Sequence, residues 1–202
     1  MRILSVLSVL GLLASASPAT AATITVLSGY GELTPSVLLQ DFETSKDTAW
    51  VTFGANTALT LATAATGGVT PSGVQGLSGG RFDDPLRATL AADAYEVGLT
   101  FGNDVVAFIA RLIVYDAANQ PLGAVTLATN ANDWADQFIG LRSDVAFRFV
   151  EFVFGQDAQN LAMYIDDFAV GGQTAIPEPV SILLLGSGLT GMIVRRDRRG
   201  RR

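Results

Sequence analysis

The chain has 202 residues, 19 of them acidic and 13 basic, with no cysteine and no histidine. It is long enough to bury one substantial core, which it must do without disulfides. A zinc enzyme is all but excluded, since zinc sites draw on Cys or His. A Ser-His-Asp triad and a Cys-His dyad are impossible without histidine, and a Ser-Lys dyad would rest on Lys46, the only lysine, with no motif around it.

From the start of the chain, Met1-Arg2 precedes an apolar run over 3–13 and a tract of small residues. Ala19-Thr20-Ala21 is the best A-x-A cleavage site, with Ala14-Ser15-Ala16 second. Residues 1–21 therefore read as a signal peptide that is removed, and the protein as exported. The expected domain is 22–175. The two ends hold Arg2 and six C-terminal arginines against Glu178 and Asp197, so this middle keeps 6 basic and 17 acidic residues, a net of −11. Such a surface argues against nucleic acid and anionic lipid as partners. It suits divalent cations and neutral sugars.

The middle reads as strands. Residues 37–42 and 50–53 carry strand patterns, and 59–61 a shorter one. Residues 66–80, with Pro71 and several glycines, read as a loop closed by Arg81-Phe82-Asp83-Asp84-Pro85. Tyr95, Val97, Leu99 and Phe101 alternate with Glu96, Gly98 and Thr100, the period of a half-buried strand. Val106, Phe108, Ala110, Leu112 and Val114 form one face of the next strand, and Arg111 and Tyr115 share the other. Gly102-Asn103-Asp104 between these two strands predicts a hairpin. A second turn at 116–121 leads to a returning strand over 122–128. Residues 138–141, 146–154 and 161–170 continue the pattern, with Arg142-Ser143-Asp144 and 156–160 as breaks. No window of helix length has a 3.6-residue period, so the fold class is all-β, an antiparallel sandwich.

Two acidic clusters stand out, Asp41-Phe42-Glu43 on the first good strand and Asp166-Asp167 on the last. Their order and spacing resemble the calcium-supported β-jelly-roll of many carbohydrate-binding modules, which open with a Phe-Glu pair and end with an Ile-Asp-Asp strand. The resemblance implies that the first and last strands are neighbours. It also implies that Glu43 and one or both of Asp166 and Asp167 are ligands of a structural Ca2+, with Asp41 as an added ligand and loop carbonyls completing the oxygen shell. Crowded carboxylates repel unless a proton or an ion neutralises them. The competing reading leaves Asp41 and Glu43 pointing outward and the Asp pair ending a strand.

A sugar site would need exposed aromatics beside Asn, Asp or Arg. Trp50, Trp134, Tyr95 and Tyr115 are the candidates, though packing is the commoner role for each. Trp134 and Tyr115 lead as ligand-binding residues, Trp134 because its neighbours Asn130-Ala131-Asn132-Asp133 are polar. Paired carboxylates of the glycosidase kind remain the enzymatic alternative.

The C-terminal stretch has three parts: Pro177-Glu178-Pro179, an uncharged apolar run over 181–194, and the arginine-rich tail Arg195-Arg196-Asp197-Arg198-Arg199-Gly200-Arg201-Arg202. The prolines hold the chain extended. The run falls short of the roughly 20 residues that cross a bilayer comfortably, and the arginines stop transfer. Together these parts resemble the PEP-CTERM sorting signal of Gram-negative exported proteins over 176–202, carried by Pro177-Glu178-Pro179, Leu184-Leu185-Gly186, Gly188-Leu189 and the arginines. The resemblance implies a hydrophobic sorting helix, transient inner-membrane anchoring, processing by an exosortase, and delivery to the cell surface, outer membrane or extracellular matrix. The sequence-level expectation is thus an exported, non-enzymatic β-sandwich, a structural, adhesive or glycan-binding component of an exopolysaccharide matrix.

Overall fold

Two strands too long for a single flat sheet organise the molecule. In the computed structural model, which describes residues 22–35, 37–63, 71–80, 83–102, 108–130, 135–154 and 163–172, the strands run in chain order: Ile24–Leu27 (β1), Leu38–Gln40 (β2), Val51–Gly54 (β3), Thr60–Thr63 (β4), Gln75–Gly79 (β5), Leu86–Gly102 (β6), Ile109–Tyr115 (β7), Pro121–Ala128 (β8), Gln137–Phe154 (β9) and Met163–Gly171 (β10). All pairings are antiparallel. Straight, β6 would span roughly 55 Å at about 3.3 Å per residue, too far for a domain of this size. It bends instead. Its register with β9 shifts on both sides of the Ala94–Phe147 pair, and beyond that corner both strands enter a second layer.

The first layer holds β4, β5, β10, the later half of β6, the earlier half of β9 and β1, with β2 beside β10. The second holds β3, the earlier half of β6, the later half of β9, β7 and β8. The core lies between them. Val97, Leu99, Phe101, Leu141 and Ile165 from the first layer meet Ala88, Leu112, Val114, Val150 and Phe152 from the second, all buried. Phe101 and Phe152 touch across the gap with ring centroids 5.2 Å apart. The fold is an all-β antiparallel sandwich, and its first good strand does neighbour its last, since β2 pairs with β10.

Several expectations are corrected. The hairpin across Gly102-Asn103-Asp104 does not form: β6 and β7 are not partners, because β9 lies between them and pairs with both. Arg142-Ser143-Asp144 does not interrupt a strand, since β9 runs unbroken through it. The loop expected over 66–80 contains β5, whose Leu77 is buried in the core. Residues 86–94, unassigned from sequence, are the first half of β6. Expected strands 37–42, 50–53, 59–61 and 161–170 correspond to β2, β3, β4 and β10, and the turn at 116–121 joins β7 to β8. The expected signal peptide over 1–21 and the expected sorting tail over 176–202 lie outside the described residues. Among the described residues, no helix is long and apolar enough to cross a membrane.

The alternation over 95–101 also understates burial, because a strap formed by residues 28–35 lies across the outer side of the first layer. Gly98 and Gly140 carry no side chain there, and a Cβ on either would stand 2.6 Å from the Phe138 ring. That ring fills the gap and meets Tyr30 edge-on at 4.7 Å. The Tyr30 hydroxyl donates to the Asp167 carbonyl at 2.7 Å and also bonds the Thr100 hydroxyl. Glu96, 2 % exposed, accepts from Thr34 N–H at 2.7 Å and from Arg142 Nε at 2.6 Å. Burial alone would raise the Glu96 carboxyl, but these two donors hold it below its ordinary 4.5. A carboxyl depressed in the folded state stabilises above its unfolded pKa and loses that contribution as pH falls. Glu96→Ala is therefore expected to cost about 1–2 kcal/mol at pH 7, since it removes the acceptor of the half-buried Thr34 N–H and the partner of Arg142. Urea unfolding should show that difference shrinking below about pH 4.5.

Candidate functional site

The outward side of the second layer is built by register. On β3, β6, β9 and β7 the inward residues pack the core, so their neighbours in sequence must point out. The pairing sets these in two rows. One runs Gly54, Arg87, Glu151, Ile113, and the other Thr52, Thr89, Phe149, Tyr115. Residues 54 to 56, Asp84 and Pro85 raise one wall beside them, enclosing a cleft of about 410 Å³ that Arg87, Thr89 and Glu151 line.

Arg87 is the hub of this face. Its guanidinium carbon lies 4.4 Å from the Phe149 ring centre and 5.1 Å from that of Tyr115, a cation–π arrangement. One terminal nitrogen bonds Glu151 Oε1 and the other bonds Asn119 Oδ1. Asn119 has a left-handed φ of 63° in the β7–β8 turn, a conformation that asparagine tolerates. The Tyr115 hydroxyl donates to Glu151 Oε2 at 2.5 Å. Burial, that hydrogen bond and the Glu151 charge push the phenol up to about 12, so it remains a donor at neutral pH. Rings, a guanidinium, a carboxylate and an amide thus share one fixed surface.

The two carboxylates of the cleft are both engaged. Glu151 is held by Arg87 and Tyr115. Asp84 accepts from Asn56 N–H, Asn56 Nδ2 and Thr57 N–H at 2.8, 2.9 and 2.6 Å. Its burial would raise it, and those bonds bring it below its ordinary 3.8. Glycoside hydrolysis needs one carboxyl held protonated as general acid. Asp84 is shifted the opposite way.

A second locus forms where β2 ends against β10. Phe42 (φ 57°), Asp167 (φ 48°) and Gly73 (φ 55°) are all left-handed, and Asp167 sits where the β10 register shifts. Glu43 Oε1 accepts from Val74 and Gln75 N–H at 2.8 Å each. The Ser72 hydroxyl donates to Asp167 Oδ1 at 2.6 Å. Asp166, wholly buried, accepts from Asp167 N–H at 2.8 Å and from Ser72 N–H at 3.4 Å. Burial first, then the charges of Asp167 and Glu43, push its carboxyl up to about 7. A Cβ on Gly73 would stand 2.1 Å from Glu43 Oε1, so only glycine lets the 71–74 segment close over that carboxylate.

The structure thus brings Glu43, Asp166 and Asp167 to one segment, residues 72–75. Asp41 is exposed and accepts from Glu43 N–H at 3.2 Å. Among the described residues, no three acidic side chains are gathered closely enough to hold a metal ion by themselves. Tyr115 lies on the open face, while Trp134 is outside the described residues. Trp50 stacks on Phe168 with centroids 6.2 Å apart and packs against the core. Sequence reasoning missed Arg87, Phe149 and Glu151. Alternation within β9 places Phe149 and Glu151 on one face, but their meeting with Arg87 depends on cross-strand register.

No family model matches the chain, and no curated protein does either. Solved structures similar to it include a family 11 carbohydrate-binding module from Clostridium thermocellum in complex with a beta-1,3-1,4-mixed-linked tetrasaccharide. It is 10 % identical with a TM-score of 0.38, over 67 % of this chain and 95 % of that one. The family 11 module of the cellulosomal cellulase Lic26A-Cel5E of the same organism gives 8 %, 0.36, 67 % and 94 %. The enzymatically active domain of bacteriophage CBA120 tailspike protein 4 gives 9 % and 0.34 over 61 % of this chain and 19 % of that one. Likenesses this loose leave the function to be read from the chain's own residues.

Proposed function

We propose that the protein is an exported, non-enzymatic, glycan-binding component of an extracellular polysaccharide matrix, and that the outer face of the second layer is its binding surface. The observation that carries this reading is the fixed cluster of Arg87, Tyr115, Phe149, Glu151 and Asn119 on one open sheet face. Sugars offer hydroxyls that bond in-plane to guanidinium, carboxylate and amide groups, and apolar C–H faces that rest on aromatic rings. A rigid face loses little freedom on binding. The engaged carboxylates of the cleft support binding over hydrolysis.

The Pro177-Glu178-Pro179 motif, the apolar run and Arg195, Arg196, Arg198 and Arg199 support export with exosortase processing and surface delivery. In a host with that machinery, replacing Pro177 and Pro179 by alanine should leave the tail uncleaved on immunoblots. Calcium belongs to the same proposal. It would sit against Asp166, Asp167 and Glu43, with neutral oxygens completing its shell, and would replace the proton that burial otherwise favours on Asp166.

Affinity electrophoresis and calorimetry of the full chain against a panel of neutral and acidic polysaccharides test the reading. At least one glycan should bind, and Arg87→Ala and Tyr115→Ala should each weaken it about tenfold or more, the range expected of central interface anchors. Thr25→Ala, on β1 of the other layer, should bind as wild type does. Failure to bind any glycan, or equal loss in all three variants, would sink the assignment.

A further inference from the structure

A glycine weakens a strand unless something needs the missing side chain. In this protein something nearly always does. Among the described residues, every strand glycine but one has an atom within 3.3 Å of where its Cβ would stand, from the Ile24 side chain at 2.4 Å for Gly123 to that of Ala135 at 3.3 Å for Gly102. The exception is Gly54. It ends β3, its φ is not left-handed, and a Cβ on it would meet nothing within 4 Å. Neither the backbone nor the packing of the protein requires glycine there.

The open space over Gly54 is the cleft of about 410 Å³. Across the ladder Gly54 pairs with Arg87 and Arg87 with Glu151, two side chains that hold each other. In the row beside them Thr52 pairs with Thr89, and Thr89 with Phe149. Both threonines are exposed and line the cleft. Neither hydroxyl bonds a protein group among the described residues. The cleft thus combines bare backbone, two unengaged hydroxyls and a fixed ion pair, and by register it adjoins the Phe149 ring.

We propose that this cleft is a second sugar subsite with the Gly54 backbone as its floor, shaped for a flat pyranose ring whose substituents are equatorial. The inference rests on the glycan-binding reading of this face. It extends that reading from the rings of Phe149 and Tyr115 to a neighbouring unit of the same glycan chain. A sugar ring lying against the backbone takes the volume that a side chain at position 54 would fill, which accounts for the glycine. Its equatorial hydroxyls point outward around the ring, toward Thr52, Thr89 and the Arg87–Glu151 pair. An axial group or a branch on the lower side would lift the ring off the floor.

Native affinity gels of the full chain, cast with a soluble β-glucan or a xylan, both polymers of equatorially substituted rings, test the subsite. At least one should retard the wild type. Gly54→Val puts a β-branched residue into a strand with open space at its Cβ. It should raise the melting temperature by about 1–4 °C and weaken binding about tenfold or more. Thr89→Val keeps the side-chain shape, so it should melt as the wild type does and bind about threefold to tenfold more weakly. Binding of Gly54→Val at wild-type strength, or a melting temperature well below wild type, would overturn the subsite. So would undiminished binding by Thr89→Val. If Arg87→Ala loses the polymer and Gly54→Val does not, the subsite fails and the glycan reading stands. The same holds if neither polymer retards the wild type but another glycan of the panel does. If no glycan binds, both fail.

Discussion

Asp166→Asn is expected to make the protein more stable at pH 8 in the absence of divalent cations and to flatten its stability between about pH 4 and pH 7. The wild-type carboxyl is wholly buried and titrates near 7 when folded, against 3.8 as its ordinary value. Between those values the folded state holds a proton that the unfolded state has released. Stability therefore falls as pH rises through the window, by at most about 4 kcal/mol at 1.36 kcal/mol per unit. Asparagine keeps the oxygen that accepts from Asp167 N–H and carries no charge to be repelled by Asp167 and Glu43, giving up only the long 3.4 Å bond from Ser72 N–H. The proposed calcium is expected to reverse the comparison. An ion bound by the folded wild type alone adds about 2.7 kcal/mol at a hundredfold excess over its dissociation constant, and the variant should gain less. Urea unfolding of both proteins from pH 4 to pH 8, with EDTA and then with calcium, separates the cases. Parallel pH profiles would refute the buried-proton account, and no calcium response in either protein would remove the ion.

How far the sequence shows this locus depends on what each residue's position requires. Asp41, Glu43, Asp166 and Asp167 sit at opposite ends of the domain, and pairing of the first good strand with the last is enough to gather three of them. Gly73 completes the arrangement, yet in sequence it is one glycine among 21. Its role depends on a left-handed φ and on the Glu43 carboxylate lying where its side chain would be. Neither leaves a local signature.

The errors in the fold share a physical cause. A turn-like Gly102-Asn103-Asp104 between alternating segments is a good local hairpin signal. Strand order, however, is decided by which faces bury the most apolar surface, and β9 provides a partner for β6 along nearly its whole length. Arg142-Ser143-Asp144 looks like a turn because all three are polar. In the strand, Arg142 pairs with Glu96, Ser143 bonds the Val145 carbonyl, and Asp144 accepts from Thr23 N–H at 2.7 Å. Each has a partner on β6, beside β1 or on its own strand, so polarity there records hydrogen bonding along a continuous strand and not a loop. The Arg87 cluster was hidden for the same reason, since its members are separated by up to 64 residues.

Phe42→Ala is the largest destabilisation expected from a single core change, about 3–5 kcal/mol for a fully buried phenylalanine. Phe42 is wholly buried and meets Phe53 edge-on with centroids 5.2 Å apart, and Phe53 meets Phe168 in the same way at 5.1 Å. This aromatic chain joins the end of β2 to β3 and β10. Phe42 adopts φ 57°, a conformation that costs an L-residue roughly 1–2 kcal/mol, so its packing must outweigh that strain. Alanine keeps most of the backbone cost and gives up the packing. At 2–4 °C per kcal/mol for chains of this size, the melting temperature should fall by about 10 °C, while the dependence on denaturant stays unchanged. Phe42→Leu, which restores most of the apolar volume, should recover more than half of the loss. Because Glu43 follows directly, a loosened Phe42 also frees the carboxylate that receives Val74 and Gln75 N–H. Amide exchange at those two positions should therefore accelerate in Phe42→Ala well before global unfolding. If both amides exchange at the wild-type rate in a clearly destabilised variant, Phe42 supports the core alone and the acidic locus is positioned by Gly73 and the β10 bulge.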